Sequence, residues 1–487
     1  MTQPARSDAN PVFGLELHGF DHIPESDRRM TLKETNYFWV GTNANLFFVA
    51  VGAIAVGLGL SLWLALLACV VGNLLFGLVG YASIGGVRSG LPAMTFTRAT
   101  FGVRGNRLNA LLAWVSSVAF EAINTIFGVF ATLALFDLIG WHNSGAPGKL
   151  LALATQLLIG GGIAILGHAT MVYLQRFFAV LLSGALILVL AFSVGGVHWA
   201  APSTLSVPSA IAMFLVACAV IASGPISYLY NAPDWVRYLP SRTSARSVFW
   251  NVTASSGITA LVLCAMGAVL ATRGDMSDPV AGVKSFVPVW VFVIYIFAAA
   301  GGSIANNVVT YYSSGLALQS LGLPLHRYVA TSLDTVVSTG IVLYILFVQN
   351  FTTALNDFVA MLIVWLAPFA GVWLTDGALR RWRYDPVAAH ATRKEQRSAY
   401  WGWHGVNRRG FAALLTGVAA CLLTVDSPVY VGPVSRALGG ADLSWIAGFI
   451  AAGGTYAALT SLASRRERSP ARAHPVAEPA VSPDLAQ

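Results

Sequence analysis

Apolar residues run in long blocks along this chain, separated by short polar or Gly/Pro stretches. A helix needs about 20 such residues to cross the hydrocarbon core of a bilayer. Twelve blocks qualify, at about 36–60, 61–84, 106–138, 149–168, 171–197, 208–230, 248–272, 287–316, 329–349, 354–378, 411–431 and 441–463. The pattern predicts an all-α integral membrane protein of about twelve transmembrane helices. A polar segment, 1–35, precedes the first block, and a basic loop, 379–410, separates the tenth from the eleventh. The Pro/Ala/Ser-rich stretch 464–487 reads as a disordered tail.

Two blocks depart from the rest. The first reads Phe38-Trp39-Val40-Gly41-Thr42-Asn43-Ala44-Asn45, with two amides and a glycine inside an apolar run. The sixth carries Ser223-Gly224-Pro225 and then Tyr228-Leu229-Tyr230-Asn231-Ala232-Pro233-Asp234. Proline cannot donate its backbone N–H, and glycine is a poor helix former, so a break is expected at Gly224-Pro225. In lipid, broken backbone is tolerated only where it lines a cavity or is buried in protein. Interrupted helices five spans apart point to an inverted-repeat transporter with its substrate at the breaks. The expected units are a first repeat at 36–197, a second at 208–378, and two added helices at 411–463.

Charge supports the same class. Only 10% of residues are charged, against about 25% in soluble domains. That excludes an ordinary soluble enzyme. With the N-terminus in the cytoplasm, 25 of the 29 Lys and Arg residues fall on the cytoplasmic side of the twelve spans. The positive-inside rule then places both termini in the cytoplasm of a plasma-membrane protein. The net charge of +8 reflects those loops and not a nucleic-acid partner. Cys69, Cys218, Cys264 and Cys421 lie far apart in apolar runs, which argues against a disulfide or zinc framework. No HExxH, GxSxG or paired-acid motif suggests an enzyme.

The loop after the second span reads Gly90-Leu91-Pro92, then Arg98, then Phe101-Gly102-Val103-Arg104-Gly105. Upstream stand Gly19, Ile23-Pro24 and Arg28-Arg29. Downstream stand Pro233-Asp234-Trp235-Val236-Arg237-Tyr238-Leu239-Pro240 and Tyr312-Ser313-Ser314-Gly315. In order and spacing these resemble the nucleobase:cation symporter family 1, from about Gly14 to Tyr384. Trp39 to Asn45 is most similar to its purine–cytosine permeases. The resemblance implies a LeuT-like fold of 5+5 inverted repeats, with uptake of cytosine or purines driven by a cation gradient. Uracil, hydantoin, allantoin or a base-like vitamin is the alternative cargo. No cofactor is implied beyond the coupling cation, H+ or Na+, and the chain is expected to act as a monomer.

A flat base needs aromatic faces to stack on and amides for its edge. Phe120 and Asn124, four apart in the third span, share one helix face. Asn43, Asn45 and Asn307 are further edge candidates, and Tyr228 or Tyr230 would supply a second face. Glu121 sits mid-depth in the third span, where a carboxylate costs about 2.5–3.5 kcal/mol or more. It is expected to take up the coupling proton, bond a substrate N–H, or both. Sodium-coupled relatives place two adjacent hydroxyl residues on the eighth span. Here Ala305 and Asn306 stand at those positions, which favours a proton and leaves no confident metal site. Asn306, Ser303 and Thr310 are expected to take part in coupling, and Asp234 and Arg237 in a cytoplasmic gate. Asp137, His168, Asp334, Asp357 and Asp376 fall near predicted span ends and read as interfacial.

Overall fold

The computed structural model describes residues 12–13, 19–166, 168–323, 327–349, 351–391 and 398–467. The proposed tail beyond 467, most of the first 18 residues and the side chain of Asp357 lie outside that set.

Among the described residues ten helices are long and apolar enough to cross a membrane, and one bent pair makes an eleventh such span. The bent pair is the first span, Leu32–Asn43 followed by Leu46–Gly57. After it come Leu62–Ser89, Asn106–Leu138, Gly145–Leu166, His168–Ser193, Val207–Tyr228, Ala245–Ala271, Val289–Ser320, Arg327–Phe347 and Phe351–Arg380. The eleventh predicted block is a helix of 17 residues, Arg408–Thr424, shorter than a usual crossing. It packs against the tenth span and the twelfth, Ser444–Glu467. Each predicted block therefore has a helix.

The first span breaks where its amides stand. Thr31 and Glu34 cap its start with a reciprocal capping box. At its other end the two halves meet at 51° across Ala44 and Asn45. Asn43 Nδ2 donates to the Trp39 carbonyl at 2.8 Å, and Asn45 Nδ2 donates to the Thr42 carbonyl at 2.8 Å. Asn45 Oδ1 accepts from the Phe47 N–H at 3.0 Å and so caps the second half. The side chains thus replace the backbone bonds that the break removes.

The sixth span breaks later than expected. Pro225 lies inside a helix that continues to Tyr228. Flanking hydroxyls bond nearby carbonyls: Ser223 Oγ donates to Val220 O and Ser227 Oγ to Gly224 O, each at 2.6 Å. Such local bonds let a membrane helix tolerate proline. The chain leaves the helix at Leu229-Tyr230-Asn231 and turns into a short helix, Ala232–Val236. Pro233 sits in its first turn, where a missing N–H costs little.

The third and eighth spans share the largest helix contact of the bundle. The first span lies flush on the seventh. A Cβ on Gly52 would collide with the Cys264 backbone, and one on Gly267 with the Val49 backbone. Small residues let membrane helices approach this closely. Both breaks are thereby held beside the third and eighth spans. All four cysteines are buried and free.

Candidate functional site

The two breaks face one small cavity. It is lined by Asn45, Phe47 and Phe48 of the first span and by Phe120 and Asn124 of the third. Gly224, Ser227, Tyr228, Tyr230 and Asn231 line it from the sixth, and Asn306 and Thr310 from the eighth. Its volume is about 20 Å³. One water needs about 10–15 Å³ by this measure. A heterocyclic ring therefore requires the lining side chains to part.

The walls combine aromatic faces with amides. The Phe120 ring meets Phe47 at 5.8 Å and Phe358 at 5.0 Å, both edge-on. Tyr228 lies edge-on to Trp39 at 5.8 Å and to Trp235 at 5.6 Å. Its hydroxyl points to the Thr42 carbonyl at the first break, 3.4 Å away. The Tyr230 hydroxyl is 3.2 Å from Ser117 Oγ on the third span. Across the cavity, Asn306 Nδ2 donates to Asn124 Oδ1 at 3.3 Å. That bond is long for an amide pair, so both groups can be recruited by a ligand edge at small cost. Thr310 Oγ1 donates to the Asn306 carbonyl at 3.0 Å, which fixes the helix under the amide.

Of the predicted substrate and coupling residues, Asn45, Phe120, Asn124, Tyr228, Tyr230, Asn306 and Thr310 meet at this cavity. Asn43 does not line it; its Nδ2 is used at the break, and its buried Oδ1 has no partner. Asn307 Nδ2 donates to Thr125 Oγ1 at 2.7 Å and joins the eighth span to the third. Ser303 is buried but does not line the cavity. Phe47, Phe48, Gly224, Ser227 and Asn231 were absent from the expected set. Gly224 belongs there because a Cβ would press on the Phe48 ring at 2.7 Å. The glycine-proline pair was the signal, but it marks a close approach and not the break.

Glu121 is fully buried, and neither carboxyl oxygen has a hydrogen-bond partner. It does not line the cavity. Its charged neighbour is Asp334 of the ninth span, with Ser314 beside it.

Three residues expected at the interface are buried. Asp334 is inaccessible to solvent and accepts from Trp114 Nε1 and, at 2.6 Å, from Ser314 Oγ. Asp376 accepts from Thr100 Oγ1, Arg380 Nε and the hydroxyls of Tyr384 and Tyr456, and so joins four parts of the chain. His168 is 2.9 Å from the Trp235 carbonyl and stacks on Tyr238 at 4.2 Å. Each faces protein because its helix packs on that side, which depth along a helix does not reveal. Asp137 is exposed beside His142 at 3.8 Å, as an interfacial group should be.

Asp234 and Arg237 are buried as well. Asp234 Oδ1 accepts from the Ala93 N–H at 2.8 Å, which ties the sixth-span exit to the loop after the second span. Burial pushes its carboxyl up to about 7, against the opposing pull of the Ala93 bond and the Arg237 charge. Arg237 donates to the carbonyls of Gly19 at 2.9 Å and Asp21 at 3.1 Å, and to the Tyr312 hydroxyl at 2.8 Å. It therefore holds the N-terminal segment against the sixth and eighth spans.

The sequence profile of the permeases for cytosine/purines, uracil, thiamine and allantoin matches residues 22–448. The chain belongs to that family. Among its relatives in the permease family is a protein named as a purine-cytosine permease, YxlA of Bacillus subtilis (strain 168). The two are 25% identical over 458 residues, 89% of this chain and 93% of the relative. The allantoin permease of the same organism is 23% identical over 472 residues, covering 89% and 91%. The purine-cytosine permease fcyB of Emericella nidulans is 22% identical over 492 residues, covering 91% and 88%. The fold is shared with Mhp1, a nucleobase-cation-symport-1 family transporter, in a closed conformation with bromovinylhydantoin bound. The TM-score is 0.73 at 17% identity, over 92% of this chain and 96% of that one. The inward-facing conformation of Mhp1 gives 0.69 at 16% identity, over 93% and 96%. This permease is therefore a multi-pass membrane transporter and not an enzyme.

Proposed function

We propose that this permease imports a nucleobase, cytosine or a purine, together with a proton by alternating access. The observation that carries the reading is the cavity at the paired breaks. It offers an aromatic face in Phe120, tyrosines opposite, and the Asn124–Asn306 amide pair for a ring edge. Stacking on one aromatic contributes about 1–3 kcal/mol per base. The similarity to relatives named as purine-cytosine permeases supports the same cargo. The likeness to an allantoin permease keeps uracil, hydantoin, allantoin and thiamine-like cargo as the competing set.

Proton coupling is favoured by Glu121, a carboxyl group buried in the third span without partners, one residue beyond the ring that faces the cavity. A sodium ion is disfavoured because Ala305 and Asn306 replace the adjacent hydroxyl pair of sodium-coupled relatives. The Ala305 carbonyl is also engaged, accepting from Gln175 Nε2 at 2.9 Å. Asp234 and Arg237 close the cytoplasmic end, the side assigned by the basic loops. The proposed location is the plasma membrane, with both termini inside and the monomer as the working unit.

The test is uptake of labelled cytosine, adenine, uracil, hydantoin and allantoin into cells that express the protein. Uptake of cytosine or adenine that an uncoupler abolishes and sodium removal spares is expected. Uptake of allantoin or hydantoin alone would replace the cargo, and sodium dependence would replace the cation.

A further inference from the structure

A second buried acid lies beside the first. Glu121 and Asp334 approach from the third and ninth spans, both without solvent exposure. The groups around them are Ser314 and Tyr311 of the eighth span, Trp114 of the third, and Tyr230 past the sixth. Among the described residues no lysine, arginine or histidine pairs with either acid. Two neighbouring like charges in a protein interior cannot both be borne cheaply.

Their hydrogen bonding is unequal. Asp334 accepts from the Trp114 indole on Oδ1 and from Ser314 on Oδ2. Glu121 accepts none, while the neighbouring Ser314 hydroxyl has Asp334 Oδ2 at 2.6 Å and the Tyr311 carbonyl at 3.1 Å as its acceptors. Ser314 has one proton to donate and can rotate between the acids. We propose that Glu121, Ser314 and Asp334 form one proton-holding unit, in which Asp334 receives the coupling proton that Glu121 takes up. In the transfer, Glu121 gives its proton to Ser314 Oγ as Ser314 gives its own to Asp334 Oδ2. Glu121 is left ionised, the serine stays neutral, and the unit carries one proton throughout.

The placement gives the transfer a direction. Asn124 and Asn306 mark the cavity, and Tyr230 both lines it and shares the electrostatic neighbourhood of Glu121. Trp114 and Ser314 lie seven and eight residues further along their helices than Glu121 and Asn306, toward Asn106 and Ser320. At 1.5 Å per residue that is about 10–12 Å, toward the end where Arg98 donates to the Ser320 carbonyl at 3.1 Å and Arg237 makes its contacts. Asp334 is thus the step away from substrate. This inference rests on the transport reading for the origin of the proton, but not for the existence of the unit.

The test measures the infrared carbonyl band of buried carboxylic acid in the purified full-length protein across pH, without ligand, and cytosine accumulation in proteoliposomes across pH. Glu121→Gln and Asp334→Asn are each expected to displace the titration of the remaining acid and to flatten the uptake profile. Ser314→Ala keeps both acids and is expected to shift the infrared midpoint, which decides the matter if Asp334→Asn does not fold. An infrared midpoint that Asp334→Asn and Ser314→Ala leave at the wild-type value would overturn the unit. Linked infrared titration with no uptake of any base would uphold the unit and overturn the transport reading instead.

Discussion

Asp376 and Glu121 are both buried acids, and they are held in opposite ways. Asp376 has four donors from the loop after the second span, the tenth and twelfth spans and the segment beyond the tenth. Glu121 has none. A buried carboxylate with four donors ties together the segments that supply them. A buried carboxyl group without partners is cheap only when neutral. It can be ionised and neutralised by what arrives beside it. Burial is thus common to both acids, and the unsatisfied oxygens of Glu121 are what support its proposed role.

The contrast is broken most directly by neutralising each acid. Glu121→Gln is expected to abolish uncoupler-sensitive accumulation while leaving the unfolding temperature in detergent near the wild-type value. Asp376→Ala is expected to do the reverse first, lowering stability. Removing one partner of a buried charge pair costs about 3–5 kcal/mol, and the partial exposure of Arg380 places the loss near the lower end. Equal loss of stability in both variants would show that Glu121 is a structural acid too.

Next in size is the cavity itself. Phe120→Ala is expected to weaken cytosine binding by about 1–3 kcal/mol, with Phe120→Trp retaining it. Competition binding at fixed pH reads this, and unchanged affinity in Phe120→Ala would move the stacking face to Tyr228 or Tyr230. Asn45→Ala removes the cap on the second half of the first span and should cost about 1 kcal/mol of stability. A loss confined to transport would instead show that Asn45 acts mainly on substrate.

A smaller effect separates Asp234 from both acids. Its native carboxyl lies near 7, above the ordinary 3.8, so the folded state binds this proton more tightly than the unfolded chain. The contribution to stability is complete below about pH 4 and is lost as pH rises through 7. Asp234→Asn stays neutral and can still accept from Ala93. Its unfolding temperature should rise relative to wild type between pH 5 and about pH 8. Parallel curves for the two proteins would contradict this.

Much of the architecture was legible in the order of residues. Apolar blocks of bilayer length mark the helices, and Asn43 and Asn45 mark the first break because amides so deep in a span need backbone to bond. The sixth break was misplaced because Gly224-Pro225 reads as a breaker until the serines beside it are seen to bond the local carbonyls. Helix spacing brought Phe120 and Asn124 to one face. It did not show that Glu121 would turn toward the ninth span. Asp334, seven residues into that span, looked interfacial because distance from a helix end measures depth and not which side is packed. Its partners, Trp114 and Ser314, lie 220 and 20 residues away, a separation no local pattern spans.

In the proposed import, a base bound at the broken helices moves with a proton held at Glu121. The most direct measurement follows internal pH in proteoliposomes while cytosine is added outside, with no imposed gradient. Wild type is predicted to acidify the interior on addition of cytosine, and Glu121→Gln to give no pH change. Cytosine entry without acidification in the wild type, or an unchanged signal in Glu121→Gln, would contradict the account.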